Sequence, residues 1–90
     1  MDGAGTARCN GFYKRDGNCN GKPHYRKVDD ENIPIRYAFG YGWVGIVHEY
    51  LEYYDWRNGY MCECSAETPP CDGWVVDRYG KAPAPMLTWL

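Results

Sequence analysis

Aliphatic residues are scarce in this chain: Leu51, Leu87 and Leu90 are its leucines, and Ile33, Ile35 and Ile46 its isoleucines. A core built mainly from branched aliphatic side chains is therefore excluded. No apolar run approaches the roughly 20 residues that cross a bilayer as a helix, so no transmembrane segment is expected. Met1 to Arg8 carries no hydrophobic stretch of the kind found in signal peptides, which leads to the expectation of an intracellular protein. A broad basic excess is missing too, since the net charge is −2, and this argues against a nucleic-acid partner. Histidine is limited to His24 and His48. Gly40-Tyr41-Gly42-Trp43-Val44-Gly45 has the spacing Gly-x-Gly-x-x-Gly, but it joins two expected strands rather than a strand to a helix, as a dinucleotide fingerprint requires. No phosphate loop is present, and neither is a Cys-x2-Cys knuckle.

What the chain does have is rings and turns. Nine Tyr, four Trp and two Phe occur among 90 residues, and a buried ring removes roughly 150–250 Å² from water. Aromatic packing thus has to replace an aliphatic core in a domain whose size makes that core marginal. Eleven Gly and six Pro fit short strands and many turns better than helices. Two phrases recur ten residues apart, Asn10-Gly11-Phe12-Tyr13 and Asn20-Gly21-Lys22-Pro23-His24-Tyr25, each joining an Asn-Gly turn to an aromatic strand start. Further strands are expected at 12–15, 24–28, 35–39, 43–48, 60–64 and 74–78. Turns are expected at Asp16-Gly17-Asn18, at Gly40-Tyr41-Gly42 and at Arg57-Asn58-Gly59, with a solvated loop at Asp29 to Asn32. Pro34 cannot donate to a ladder and suits a strand start or a sheet edge.

The expected fold is all-β: one small antiparallel sheet curled into a half-barrel or small sandwich. One short helical turn is allowed for near 49–56, where Tyr50, Tyr53 and Tyr54 sit at i, i+3, i+4 and also suit a strand. Residues 1–8 read as a flexible N-terminus, 9–81 as the β-module, and 82–90 as a Pro-rich link with an apolar tail. Charge is unevenly spread, with six Lys/Arg against two Asp in residues 1–28 and four against ten acids in 29–90. Either the two halves neutralise each other, or a dipolar surface orients a partner.

The ordered series Asn-Gly-x-Tyr, Asn-Gly-Lys-Pro-x-Tyr, Ile-x-Tyr, Gly-Trp, Pro-Pro-x-x-Gly-Trp and Pro-Ala-Pro resembles an aromatic, glycine-rich β-module found singly or in tandem in algal and protist proteins. It runs from Asn10 to Pro85 through Tyr13, Tyr25, Ile35, Tyr37, Trp43, Pro69, Pro70, Gly73 and Trp74. The resemblance implies a fold made of turn and core positions and supplies no catalytic residue. The five cysteines and an inserted stretch from His48 to Trp56 depart from its pattern.

The cysteines are Cys9, Cys19, Cys62, Cys64 and Cys71. Three readings stand side by side: reduced thiols acting as small hydrophobes, one or two disulfides, and a zinc site drawn from Cys62, Cys64, Cys71 and His48 or His24. Cys62 and Cys64 would share one face of a strand, where disulfide geometry is poor. Both histidines lie among aromatics on expected strands, so no enzyme is expected and no cofactor. The surplus of rings points instead to contact with another protein. The candidate partner surface joins Tyr50, Tyr53, Tyr54 and Trp56 to the tail residues Leu87, Trp89 and Leu90, with Met86 beside them. The function this suggests is a non-catalytic interaction module, a small accessory subunit docked on a larger protein assembly. A carbohydrate-binding module, with Tyr and Trp as stacking platforms, and a small zinc-stabilised protein are the alternatives.

Overall fold

The computed structural model describes residues 1–50 and 55–88, including the side chains of all these except Glu31, Val47, His48, Glu49, Tyr50, Asp55 and Trp56. Among the described residues a 3-10 turn, Ala7–Cys9, precedes six strands: β1 (Tyr13–Cys19), β2 (Lys22–Lys27), β3 (Asp30–Ala38), β4 (Gly42–Tyr50), β5 (Asp55–Cys62) and β6 (Val75–Val76). They form one antiparallel sheet in sequence order, and the sheet does not close into a barrel. The fold class is all-β, as expected.

Several boundaries differ from the sequence reading, and each difference has a local cause. Asp16-Gly17-Asn18 is not a turn but a bulge inside β1: Asp16 and Gly17 together oppose His24 between the pairs Arg15↔Tyr25 and Asn18↔Pro23. Gly17 takes φ +74° there, a conformation that glycine adopts without the Cβ penalty. The turn comes four residues later. Cys19 pairs with Lys22, and Asn20 and Gly21 between them have φ +55° and +81°, both positive as a two-residue primed hairpin turn requires. Asp30 to Asn32 belong to β3 rather than to a loop. Pro34 is fully buried inside β3, not at a strand start. It sits where pairing is interrupted on both sides: the β2 ladder shifts register between Arg26 and Lys27, and the β4 ladder stops at Ile35↔Gly45. A missing N–H therefore breaks no regular bond there.

Asn58-Gly59 is likewise not a hairpin turn. It lies within β5, and two register shifts flank it, one placing Gly59 and the other Val47 as the extra residue. The pairs His48↔Arg57, Glu49↔Trp56 and Tyr50↔Asp55 carry the ladder beyond the bulges. The ends of the 49–56 stretch are thus strand; residues 51–54 lie outside the described residues.

The core lies on one face of the sheet. Tyr25, Ile33, Ile35, Trp43, Tyr60 and Cys62 supply its strand side; Ala4, Cys9, Trp74 and Leu87 come from segments that cross over it. Tyr13 and Tyr37 are half-buried against this cluster. Gly45, at its centre, leaves room on β4 for Met1, Tyr60 and Trp74. Val44 and Ile46 are buried as well, outside this cluster.

Among the described residues no helical layer covers the core; irregular chain does, and the polar tips of the rings tie it down. The Tyr60 hydroxyl donates to the Lys81 carbonyl at 2.7 Å and accepts the Thr6 N–H at 2.9 Å. The Trp43 indole donates to the Ala66 carbonyl and the Trp74 indole to the Pro70 carbonyl. Tyr13 donates to the Cys9 carbonyl. Each ring thus fills the core and satisfies a backbone group of the segment over it, so the covering chain buries few orphaned polar atoms. Among the described residues no buried side-chain nitrogen or oxygen lacks a partner.

The two chain ends are part of this cover. Composition suggested a mobile arm at residues 1–8, yet Ala4 is buried, Asn10 bonds both the N–H and the carbonyl of Ala4, and Asp2 pairs with Met86 in an antiparallel bridge. Leu87 donates its N–H to the Cys71 carbonyl at 2.8 Å and is buried. The charge halves also meet. Lys22 reaches Glu67 at 3.3 Å, and Lys27 reaches Asp29 at 2.8 Å, while Arg26 pairs with Asp16 within the basic half.

Candidate functional site

Where the first strand rises from the N-terminal arm, the covering segments leave a cleft of about 550 Å³. Its floor and walls are Tyr13 and Tyr25 from β1 and β2, Ile35 from β3, Pro69 from the loop after β5, and Leu87 from the tail. Met1, Asp2, Asn10, Gly11, Phe12 and Thr88 complete it. This volume lies within the range of roughly 300–1,000 Å³ typical of ligand sites. Phe12 is 70% exposed, a large ring left in water at the cleft's edge. The cleft's shape is held by backbone pairing: Gly11 N–H donates to the Met1 carbonyl, Val28 N–H to that of Phe12, and Met86 N–H to that of Asp2.

The polar groups of the cleft are mostly committed. The Tyr13 hydroxyl is bonded to Cys9, and burial raises its pKa far above the ordinary tyrosine value; the nearby Cys9 and the carboxylates of Asp29 and Asp30 push it the same way. Burial also raises the Tyr25 phenol, with Arg15 opposing. Neither phenol is poised to act as a base near neutral pH. The lining of the cleft is mainly apolar.

The residues expected to form a partner surface have divided fates. Leu87 is core and lines the floor of the cleft, so it is not a free anchor. Its neighbour Met86 is exposed. Tyr53, Tyr54, Trp89 and Leu90 lie outside the described residues. Tyr50 and Trp56 sit on paired strands, β4 and β5, with their side chains outside the description.

A second group of rings was missed in the sequence. At the β3–β4 hairpin, Phe39 and Tyr41 are largely exposed. Tyr37 meets Phe39 with centroids 5.9 Å apart at 78°, and Trp43 at 5.7 Å and 64°. Both are edge-on contacts. The signal was legible in principle, since Tyr37, Phe39 and Tyr41 alternate around Gly40.

All five cysteines are free thiols. Among the described residues, no three His, Cys, Asp or Glu side chains gather as a metal site would require; the side chain of His48 is not among them. His24 is buried, its Nδ1 facing the Asp16 carbonyl at 3.2 Å. Cys62 and Cys64 do not share a strand face, because β5 ends at Cys62 and the chain turns at Glu63, with Cys64 N–H donating to the Cys62 carbonyl at 2.9 Å.

No family model, curated protein or solved structure matches this chain.

Proposed function

We propose that the protein is a non-catalytic interaction module that accepts an apolar side chain of a protein partner in the cleft between its first strands and its crossed ends, as a small accessory subunit of a larger assembly. The observation that carries this reading is the cleft itself: about 550 Å³, walled by Tyr13, Tyr25, Ile35 and Leu87, with Phe12 exposed beside it. Interfaces concentrate their binding energy in a few apolar anchors seated in such recesses and ringed by residues that exclude water. The Tyr13 hydroxyl, committed to the Cys9 carbonyl, fits binding better than catalysis. The resemblance to the algal and protist β-module concerns turns and core positions and is neutral on the partner.

The test uses two surface changes that leave the core alone. Phe12→Ser removes the exposed ring, and Thr88→Trp fills the cleft from its exposed wall. Both variants should melt within about 2 °C of the parent, as exposed sites ordinarily do. Affinity purification from the native source should then recover a partner with the parent protein and lose it with both variants. If the same proteins are retained by all three, the cleft is not the interface.

A further inference from the structure

The end of β5 carries a feature the cleft does not use. Cys62 is the last residue of the strand and belongs to the core; Cys64 is half-buried and packs against that core from outside the strand. Between them the chain makes a three-residue turn closed by the 2.9 Å bond from Cys64 N–H to the Cys62 carbonyl. In an extended strand, residues two apart are held at nearly their full separation, with parallel side chains. The turn shortens that span toward the Cα separation of about 4.4–6.8 Å found in disulfides. Gly42 makes the turn sterically possible: a Cβ there would collide with the Cys62 carbonyl, Glu63 Cα and the Cys64 nitrogen.

The two thiols also differ in access. Cys64 lines a shallow surface depression with Tyr37, Gly40, Tyr41, Gly42 and Glu63. Cys62 lies beneath, its Sγ–H directed at the Asp72 carbonyl 3.8 Å away. A half-exposed thiol beside a buried one is the arrangement of an attacking and a resolving pair.

We propose that Cys62 and Cys64 form a reversible dithiol–disulfide couple that exchanges with small-molecule disulfides of the glutathione class. The Cys64 thiolate attacks one sulfur of the disulfide RSSR. The S–S bond breaks, one RS⁻ leaves and takes up the proton that Cys64 gave, and a mixed disulfide remains on Cys64. The Cys62 thiolate then attacks the Cys64 sulfur, and the second RS⁻ leaves with the proton from Cys62. Two protein thiols are oxidised by two electrons to one disulfide, and one RSSR is reduced to two RSH. Burial raises the pKa of Cys62, and the neighbouring Cys64 and Asp72 raise it further. The resolving step therefore quickens as the pH rises, because the thiolate is the nucleophile.

Closing the ring removes the Cys62 thiol donor from the Asp72 carbonyl. Asp72 follows Cys71, whose carbonyl holds Leu87, and Leu87 lines the cleft. Oxidation at the end of β5 thus acts on the loop that secures one wall of the cleft.

The experiment equilibrates the purified full chain with mixtures of reduced and oxidised glutathione, quenches with an alkylating reagent, and maps peptides by mass spectrometry. The expected species is a peptide bridged between Cys62 and Cys64, lost again when reduced glutathione is in excess. Cys64→Ser should abolish it. Cys62→Ser alters a core position, so Cys62→Ala with an independent melting measurement serves as the second control and should leave a stable glutathione adduct on Cys64. A glutathione adduct on Cys64 of the parent protein that never closes would overturn the proposal. So would a bridge from either residue to Cys71, or alkylation of both residues at every ratio.

Discussion

The same dipeptide occurs at Asn20-Gly21 and at Asn58-Gly59, and the two sites fold differently. The first is the tip of the β1–β2 hairpin, with both residues at positive φ and open space around Gly21. The second lies inside β5, where Gly59 is an extra residue in the ladder. Its carbonyl accepts the Asp77 N–H at 2.8 Å, and the Asn58 carbonyl accepts that of Tyr79 at 3.0 Å. Around Asn20-Gly21 the backbone takes its preferred turn, and the tertiary contact made there comes from a side chain, the Asn20 amide donating to the Tyr37 carbonyl at 2.8 Å. Around Asn58-Gly59 the returning segment 77–80 supplies hydrogen-bond partners that favour extended backbone. Local preference decides where no tertiary partner engages the turn's backbone, and backbone partners override it where they do.

Changes at either site can break this contrast. The largest effect is expected for Gly80→Ala. A Cβ at residue 80 would run into the Gly59 backbone, and overpacking against main chain should cost about 3 kcal/mol, read as a lower denaturant midpoint. An unchanged midpoint would mean that segment 77–80 does not hold β5 extended. Next comes Tyr60→Phe, which removes the hydroxyl that donates to Lys81 and accepts from Thr6. Two lost buried bonds should cost about 1–3 kcal/mol, with faster amide exchange at Thr6. If stability holds, the covering segments are secured by packing alone.

Gly21→Ala sharpens the comparison from the other side. It meets no neighbour but forces alanine to φ +81°, which costs about 1 kcal/mol. An effect as large as that of Gly80→Ala would show the hairpin to be under tertiary control as well.

The smallest effects separate the two regions by pH. Cys62, at the end of β5, and Cys9 both have thiol pKa values raised by burial above the ordinary 9.0. Their contribution to stability is complete below pH 9 and is lost as the pH rises through the folded values, so Tm should fall in the alkaline range. At the β2–β3 turn, the Lys27 ammonium bonded to Asp29 holds that carboxyl below the ordinary 3.8. That contribution is present above about pH 4 and fades as the pH falls through the folded value. Because Asp29 is exposed, Asp29→Asn should leave Tm at neutral pH unchanged within error. A clear loss in Asp29→Asn, or an alkaline Tm that stays flat, would contradict this assignment.

Much of the architecture could be read directly. The scarcity of leucine and isoleucine and the wealth of rings required an aromatic core, and Tyr25, Trp43 and Trp74 are buried in it. The Asn20-Gly21 turn was legible because its chemistry is contained in two residues. The bulges at Gly17 and Gly59 were not, because a glycine permits a bulge and a turn equally and the partner strand chooses between them. The candidate site was legible only in part: Tyr13, Tyr25 and Ile35 are among the turn and core positions of the resemblance, but a cleft among them needs a wall, and Pro69 and Leu87 provide it from far along the chain.

By itself the sequence determined an antiparallel all-β chain with aromatic packing and tight glycine turns, since these follow from side-chain volume, from the period of two along a strand, and from the φ range of single residues. Only the tertiary structure decided that residues 1–8 and the tail through Leu87 form the second layer of the core. That layer depends on bonds such as Tyr60 to Thr6, 54 residues apart, and Tyr60 to Lys81, 21 residues apart. Such contacts form only once the sheet has placed their partners side by side, and a local reading of either segment contains nothing that specifies them.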